Sequence, residues 1–116
     1  MPSAAHEDED AELLEIPTSD GVRLSACLYR RSESESRGLV IFCPEFGASK
    51  WSWKNYCHGL WESGFDILAF DFRNQGESER VEKYRELHWL TQYELTDVIS
   101  VIRFVRSQDD LSERPL

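Results

Sequence analysis

The sequence predicts an α/β fold built on a mostly parallel, mixed sheet. Three observations carry that prediction: two strand-like segments joined by an Asp-Gly turn near the start, an unbroken apolar run at residues 39–43, and a second strand-length run at 65–70 that is apolar except for Asp66. Helical periodicity separates the two runs. Strand, helix and strand within residues 39–70 describe a right-handed parallel crossover, because a parallel partner strand cannot be reached through a tight turn.

Each element follows from its own pattern. Leu13-Leu14-Glu15-Ile16-Pro17 reads as a short strand and Ser19-Asp20-Gly21 as a turn, with Asp-Gly supplying the positive φ of a tight reversal. Val22, Leu24, Ala26 and Leu28 then alternate with period two up to Tyr29, completing an antiparallel β-hairpin. Arg30 to Gly38 is a charged, serine-rich loop. Leu39-Val40-Ile41-Phe42-Cys43 is apolar throughout, which predicts a strand buried on both faces. After the loop Pro44 to Ser49, the residues Trp53, Tyr56, Cys57, Leu60 and Trp61 recur at helical spacing up to Gly64, a fitting C′ glycine. Phe65 to Phe70 is the next buried strand, and Asp71 to His88 is polar and loop-like. Thr91-Gln92-Tyr93-Glu94 forms a capping box that Leu90 and Leu95 would staple. The helix it opens presents Leu95, Val98, Ile99, Ile102 and Val105 on one face, with Asp97, Arg103 and Arg106 as polar interruptions, and fades at Ser107 to Asp110.

Composition narrows the function classes. The 116 residues carry 22 acidic and 13 basic side chains, a net charge of −9 that repels phosphate backbones and anionic bilayers, so neither nucleic acid nor membrane is an expected partner. No apolar run approaches the roughly 20 residues that span a bilayer, and the N-terminus is acidic where a signal peptide is basic, so a cytoplasmic location is expected. Residues 1–11 form an acidic tail, read as a disordered lead-in, and 12–116 form the domain. His6 beside Glu7, Asp8, Glu9 and Asp10 reads as part of a solvated charge run, and no metal or other cofactor is expected. Cys27, Cys43 and Cys57 are odd in number, lack a C-x-x-C pair and lie in apolar segments, as reduced core residues do.

Two segments carry a resemblance. Asp71-Phe72-Arg73-Asn74-Gln75-Gly76-Glu77-Ser78 is similar to the D-x-R-G-x-G-x-S stretch of many α/β-hydrolases, with Asn74 in place of the first glycine. Asn tolerates left-handed backbone, so that turn can survive the change. Cys43-Pro44-Glu45-Phe46-Gly47-Ala48-Ser49, followed by Trp51 or Trp53, is similar to the H-G-x-G loop of the same family, with Pro44 and Glu45 replacing His and Gly. Residues 12–116 therefore resemble the N-terminal part of the α/β-hydrolase fold. The resemblance implies the strand order first, second, fourth, third, then fifth. It implies that the backbone N–H of Phe46 is the oxyanion-hole candidate, that Glu45 and Gly47 shape the pocket loop, and that Asp71, Arg73, Gly76 and Ser78 build a structural turn. The family's nucleophile sits in a G-x-S-x-G turn after the fifth strand, which has no counterpart here, and His6, His58 and His88 lack a serine partner at a recognisable spacing. No catalytic residue is assigned in this chain.

The expected function is that of an N-terminal fragment of a serine hydrolase acting on an ester, amide or related carbonyl substrate, not catalytically competent as given. The small-molecule substrate belongs to the full-length protein. The alternative is a non-catalytic hydrolase-like binding or interaction module, for which the altered Pro44 and Glu45 speak. The last residues fall where a fifth strand would begin, so a truncated chain is expected, with self-association through an open third strand.

Overall fold

The computed structural model describes residues 11–32, 34–45, 47–82 and 92–116. The acidic tail up to Asp10, the oxyanion candidate Phe46, His88, Leu90 and the cap residue Thr91 lie outside the described residues.

Strands β1 (Glu12–Pro17) and β2 (Arg23–Tyr29) pair antiparallel from Glu12 opposite Leu28 to Pro17 opposite Arg23. The turn between them uses Gly21 alone at positive φ (86°): Gly21 N–H donates to the Thr18 carbonyl at 3.0 Å, and Thr18 N–H to the Val22 carbonyl at 2.8 Å. The expected positive φ of the reversal is supplied by Gly21, while Asp20 keeps ordinary backbone. Asp20 contributes its side chain instead.

Strand β3 (Leu39–Phe42), helix α1 (Trp53–Glu62, entered through a 3₁₀ turn at Lys50–Ser52) and strand β4 (Asp66–Phe70) form the parallel crossover. Strand β4 also pairs antiparallel with β2, which gives the order β1-β2-β4-β3 implied by the resemblance. Helix α2 (Gln92–Ser107) completes the described elements. The two helices cover opposite faces of the sheet. Trp53 of α1 packs on Cys27, Tyr29, Ile67 and Ala69, with its ring 4.7 Å from that of Tyr29. Val101 and Val105 of α2 pack with Ile16, Leu24, Leu28, Leu68 and Phe70 on the other side. Interior strands β2 and β4 are buried on both faces, as covered central strands must be.

The edge differs from the sequence expectation. β3 ends at Phe42, only Leu39 is fully buried, Val40, Ile41 and Phe42 are half-buried, and Cys43 is exposed. The reason is position: β3 has one strand neighbour, and its outer side carries no strand among the described residues. Near its start the Leu39 N–H donates to the Pro115 carbonyl at 2.7 Å, and Leu116 joins Leu39, Ile41, Cys43, Val98 and Ile102 around an apolar groove of about 410 Å³.

Helix α2 is a second correction. Leu95, Ile99 and Ile102 are 60, 38 and 37% exposed, while Glu94, Asp97, Ser100, Val101 and Val105 are buried. Of the expected stripe, Val98 and Ile102 line the groove at the open edge and Val105 joins the core, while the polar interruption Asp97 faces inward, where buried Arg73 meets it. In α1, likewise, Tyr56 and Leu60 of the expected apolar face are exposed. No described helix is long and apolar enough to cross a membrane.

Candidate functional site

Because β3 and β4 are parallel, their C-terminal ends at Phe42 and Phe70 open on the same side of the sheet, where α/β folds place ligands. Two loops leave the sheet there, 43–49 and 71–82.

The second loop is built around Asp71, which is fully buried. Its backbone N–H donates to the Ser25 carbonyl at 2.9 Å, and its carbonyl accepts from Ser78 Oγ at 2.5 Å. That hydroxyl accepts in turn from the Ser25 N–H at 2.7 Å, so Ser78 is spent on fastening the loop to β2. The carboxylate accepts from Glu77 N–H at 3.0 Å, Lys50 N–H at 2.6 Å and Lys50 Nζ at 2.9 Å. Gly76, at φ 48°, lets the loop close on that carboxylate: a Cβ there would lie 2.5 Å from Oδ1. Asn74 takes φ 64°, the left-handed backbone expected at the position where the resembled stretch has glycine, and its side-chain amide donates to the Val81 carbonyl at 3.0 Å.

Arg73 is the other hub. It is buried, donates through Nε and Nη2 to Asp97 Oδ1 at 3.0 and 2.8 Å, and forks onto Asp20 through Nη1 and Nη2 at 2.9 and 3.0 Å. Its own N–H donates to Asp97 Oδ2 at 2.9 Å. Hairpin turn, loop and α2 are thereby joined at one guanidinium. The hydrogen bonds from Arg73 and Thr18 hold the Asp20 carboxyl down at about 2. Burial pushes Asp97 the other way, above the usual carboxylate range, against the pull of Arg73.

The first loop is barer. Glu45 and Gly47 are exposed, Pro44 is buried, and the turn is closed by Ala48 N–H donating to the Glu45 carbonyl at 2.9 Å, with Gly47 at φ 84°. A positive φ of this kind is what glycine permits. The Glu45 carboxylate accepts from the Tyr56 hydroxyl of α1 at 2.8 Å, and this bond raises the phenol's pKa. Phe42, Cys43, Glu45 and Tyr56 line a cavity of about 350 Å³. Cys43 is exposed there, yet desolvation raises its thiol pKa, the opposite of an activated thiolate. His58 lies exposed on α1, 3.6 Å from Glu62.

The structure brings Asp71, Gly76 and Ser78 into one cluster and places Arg73 in a second, while Glu45 and Gly47 sit on the neighbouring loop. The residue that links the loops, Lys50, carries no sequence signal: a lone lysine between Ser49 and Trp51 reads as surface. Its partner Glu77 sits unassigned within the resembled stretch, and Asp97 reads in sequence only as a polar interruption of the helix. Among the described residues no group of three or more His, Cys, Asp or Glu side chains converges as a metal site.

No family model and no curated protein matches the sequence. Solved structures do match. The esterase Pf2001 of Pyrococcus furiosus is 22% identical, with a TM-score of 0.69 over 90% of this chain and 39% of that one. A hypothetical protein of Pseudomonas aeruginosa is 25% identical, with a TM-score of 0.68 over 93% of this chain and 35% of its own. The epoxide hydrolase VrEH1 of Vigna radiata is 19% identical, with a TM-score of 0.65 over 83% and 29%. The chain thus spans well under half the length of each of these three structures. Element order, sheet order and these superpositions agree: the chain has the fold of the N-terminal part of an α/β-hydrolase.

Proposed function

We propose that this chain supplies the N-terminal part of a serine hydrolase that works in the cytoplasm on a small ester, amide or related carbonyl compound, without catalytic competence of its own. The observation that carries this reading is the Asp71 cluster, which ties the loop after β3 to the loop after β4 at the carboxyl ends of two parallel strands. A rim held in this way suits an oxyanion hole, whose donors must be fixed before charge develops. The nucleophile, acid and histidine would come from sequence outside these residues. Glu45, held by Tyr56, has a partner of its own on α1.

A second reading is favoured by Pro44 and Glu45 themselves. Pro44 offers no N–H and Glu45 brings a negative charge to the pocket loop, so a binding module that has lost catalysis would also use this cavity. A fluorophosphonate probe separates the two when applied to this chain and to a polypeptide extended by the downstream coding sequence. The hydrolase reading expects labelling of the extended polypeptide at a serine beyond Leu116 and none on the chain alone. An unlabelled extended polypeptide, or labelling at Ser49 or Ser78, would overturn it.

A further inference from the structure

The pocket loop ends at a lysine that the proposed chemistry does not use and that is nevertheless 0% exposed. Lysine is seldom buried so completely unless paired. The Lys50 ammonium donates to Asp71 at 2.9 Å and to Glu77 at 2.6 Å, and its backbone N–H donates to the second oxygen of Asp71 at 2.6 Å. Burial pulls the ammonium's pKa down, but the bonds to Glu77 and Asp71 outweigh it and raise the value, so the side chain stays charged.

Among the described residues the loop's other restraints are few: Pro44 is buried, and the Tyr56 hydroxyl of α1 holds the Glu45 carboxylate. Cys43, Glu45 and Gly47 are exposed, and the Ala48 to Glu45 bond fixes the turn internally without fastening it to the sheet. A segment with so little buried surface depends heavily on its two ends for its place. One end is β3 at Phe42; the other is Lys50.

We propose that Lys50 is a positioning residue for the pocket loop: pairing with Asp71 and Glu77 fixes the loop's exit and thereby places the turn Glu45–Ala48 where it can serve a developing oxyanion. The proposal rests on the hydrolase reading. Stability alone does not explain the lysine, since a buried ion pair is often matched or bettered by apolar side chains of similar volume. What the pair adds is location, with three hydrogen bonds from one residue joining two loops.

The test uses the extended polypeptide with p-nitrophenyl acetate and three variants: Lys50→Met, Glu77→Gln, and Val105→Ala as a core control on the opposite helix. Lys50→Met is expected to lower kcat about 10- to 100-fold with KM within about twofold, the signature of misplaced groups. Glu77→Gln, whose side chain is largely exposed, is expected to lower kcat less and leave the melting temperature unchanged. Val105→Ala is expected to lower the melting temperature and leave kcat alone. Wild-type kcat in Lys50→Met overturns the proposal, as does an equal loss of kcat in Val105→Ala. Should Lys50→Met not fold, an unchanged kcat in Glu77→Gln overturns it instead. An inactive wild-type polypeptide defeats the hydrolase reading separately. The Gly47 and Ala48 amide resonances of the extended polypeptide then decide the loop's dependence on Lys50: they move in Lys50→Met and Glu77→Gln and not in Val105→Ala, and unmoved resonances overturn the proposal.

Discussion

Replacing Gly76 with alanine should cost far more than the same change at Gly21, although both glycines hold positive φ. At Gly21 (φ 86°) a Cβ meets nothing within 4 Å, so the variant bears only the left-handed penalty of about 1–2 kcal/mol. At Gly76 (φ 48°) a Cβ would sit 2.5 Å from Asp71 Oδ1 and closer still to Cγ and Oδ2. Asp71 cannot yield cheaply, because Lys50 N–H, Lys50 Nζ and Glu77 N–H hold its carboxylate at 2.6, 2.9 and 3.0 Å. Displacing it leaves Lys50 buried beside a broken pair, a loss of about 3–5 kcal/mol. The expected total for Gly76→Ala is therefore about 4–7 kcal/mol, a large part of the roughly 5–15 kcal/mol that keeps a domain folded. Urea unfolding of dilute protein, followed by tryptophan fluorescence, reads both variants, with the m-value checked for constancy. Equal losses in the two variants would refute the close-packing argument at Asp71.

Other outcomes are expected. Arg73→Met should lose about 3–5 kcal/mol by stranding buried Asp97, and Arg73→Met with Asp97→Leu should lose less than Arg73→Met alone; a double variant at least as unstable as the single one would refute the hub. Asp20 is depressed to about 2 in the folded chain, so its contribution is present above about pH 4 and lost as pH falls toward 2. Because the side chain is nearly half exposed, that contribution is discounted to about 1 kcal/mol, and the gap in urea midpoint between wild type and Asp20→Asn should narrow on acidification. Asp97, raised chiefly by burial and in part by the Asp20 charge, has the opposite sign and works against the Asp20 trend in the wild type. The 116-residue chain should hydrolyse p-nitrophenyl acetate no faster than buffer; turnover abolished by substitution of one of its own serines would contradict this. Light scattering after size exclusion should show concentration-dependent association through the outer side of β3, and a strict monomer with a sharp melt would contradict that.

Much of the fold was legible because the signals were local. Period-two alternation in β2, the apolar runs of β3 and β4, and helical spacing ending at Gly64 depend on neighbours in sequence, and each marked an element close to its observed bounds. The left-handed turn at Asn74 was legible for the same reason, as one residue's backbone tolerance. The contacts within the candidate site were mostly illegible. Lys50 meets Asp71 across 21 residues and Arg73 meets Asp97 across 24, distances over which a single sequence carries no pairing information.

The sequence by itself determined the order and type of the elements, the antiparallel start, the parallel crossover and the absence of a nucleophile turn. Tertiary structure alone decided which side of each element is covered. Cys43 looked like core and is exposed because β3 lies at the edge. Leu95, Ile99 and Ile102 looked like the buried face of α2 and are not, whereas Asp97 is buried. Apolar character states only that a side chain gains by leaving water; whether it does so depends on what the fold sets against it. A charge goes inside only where another loop delivers its partner, as Arg73 does for Asp97 and as Asp71 does for Lys50.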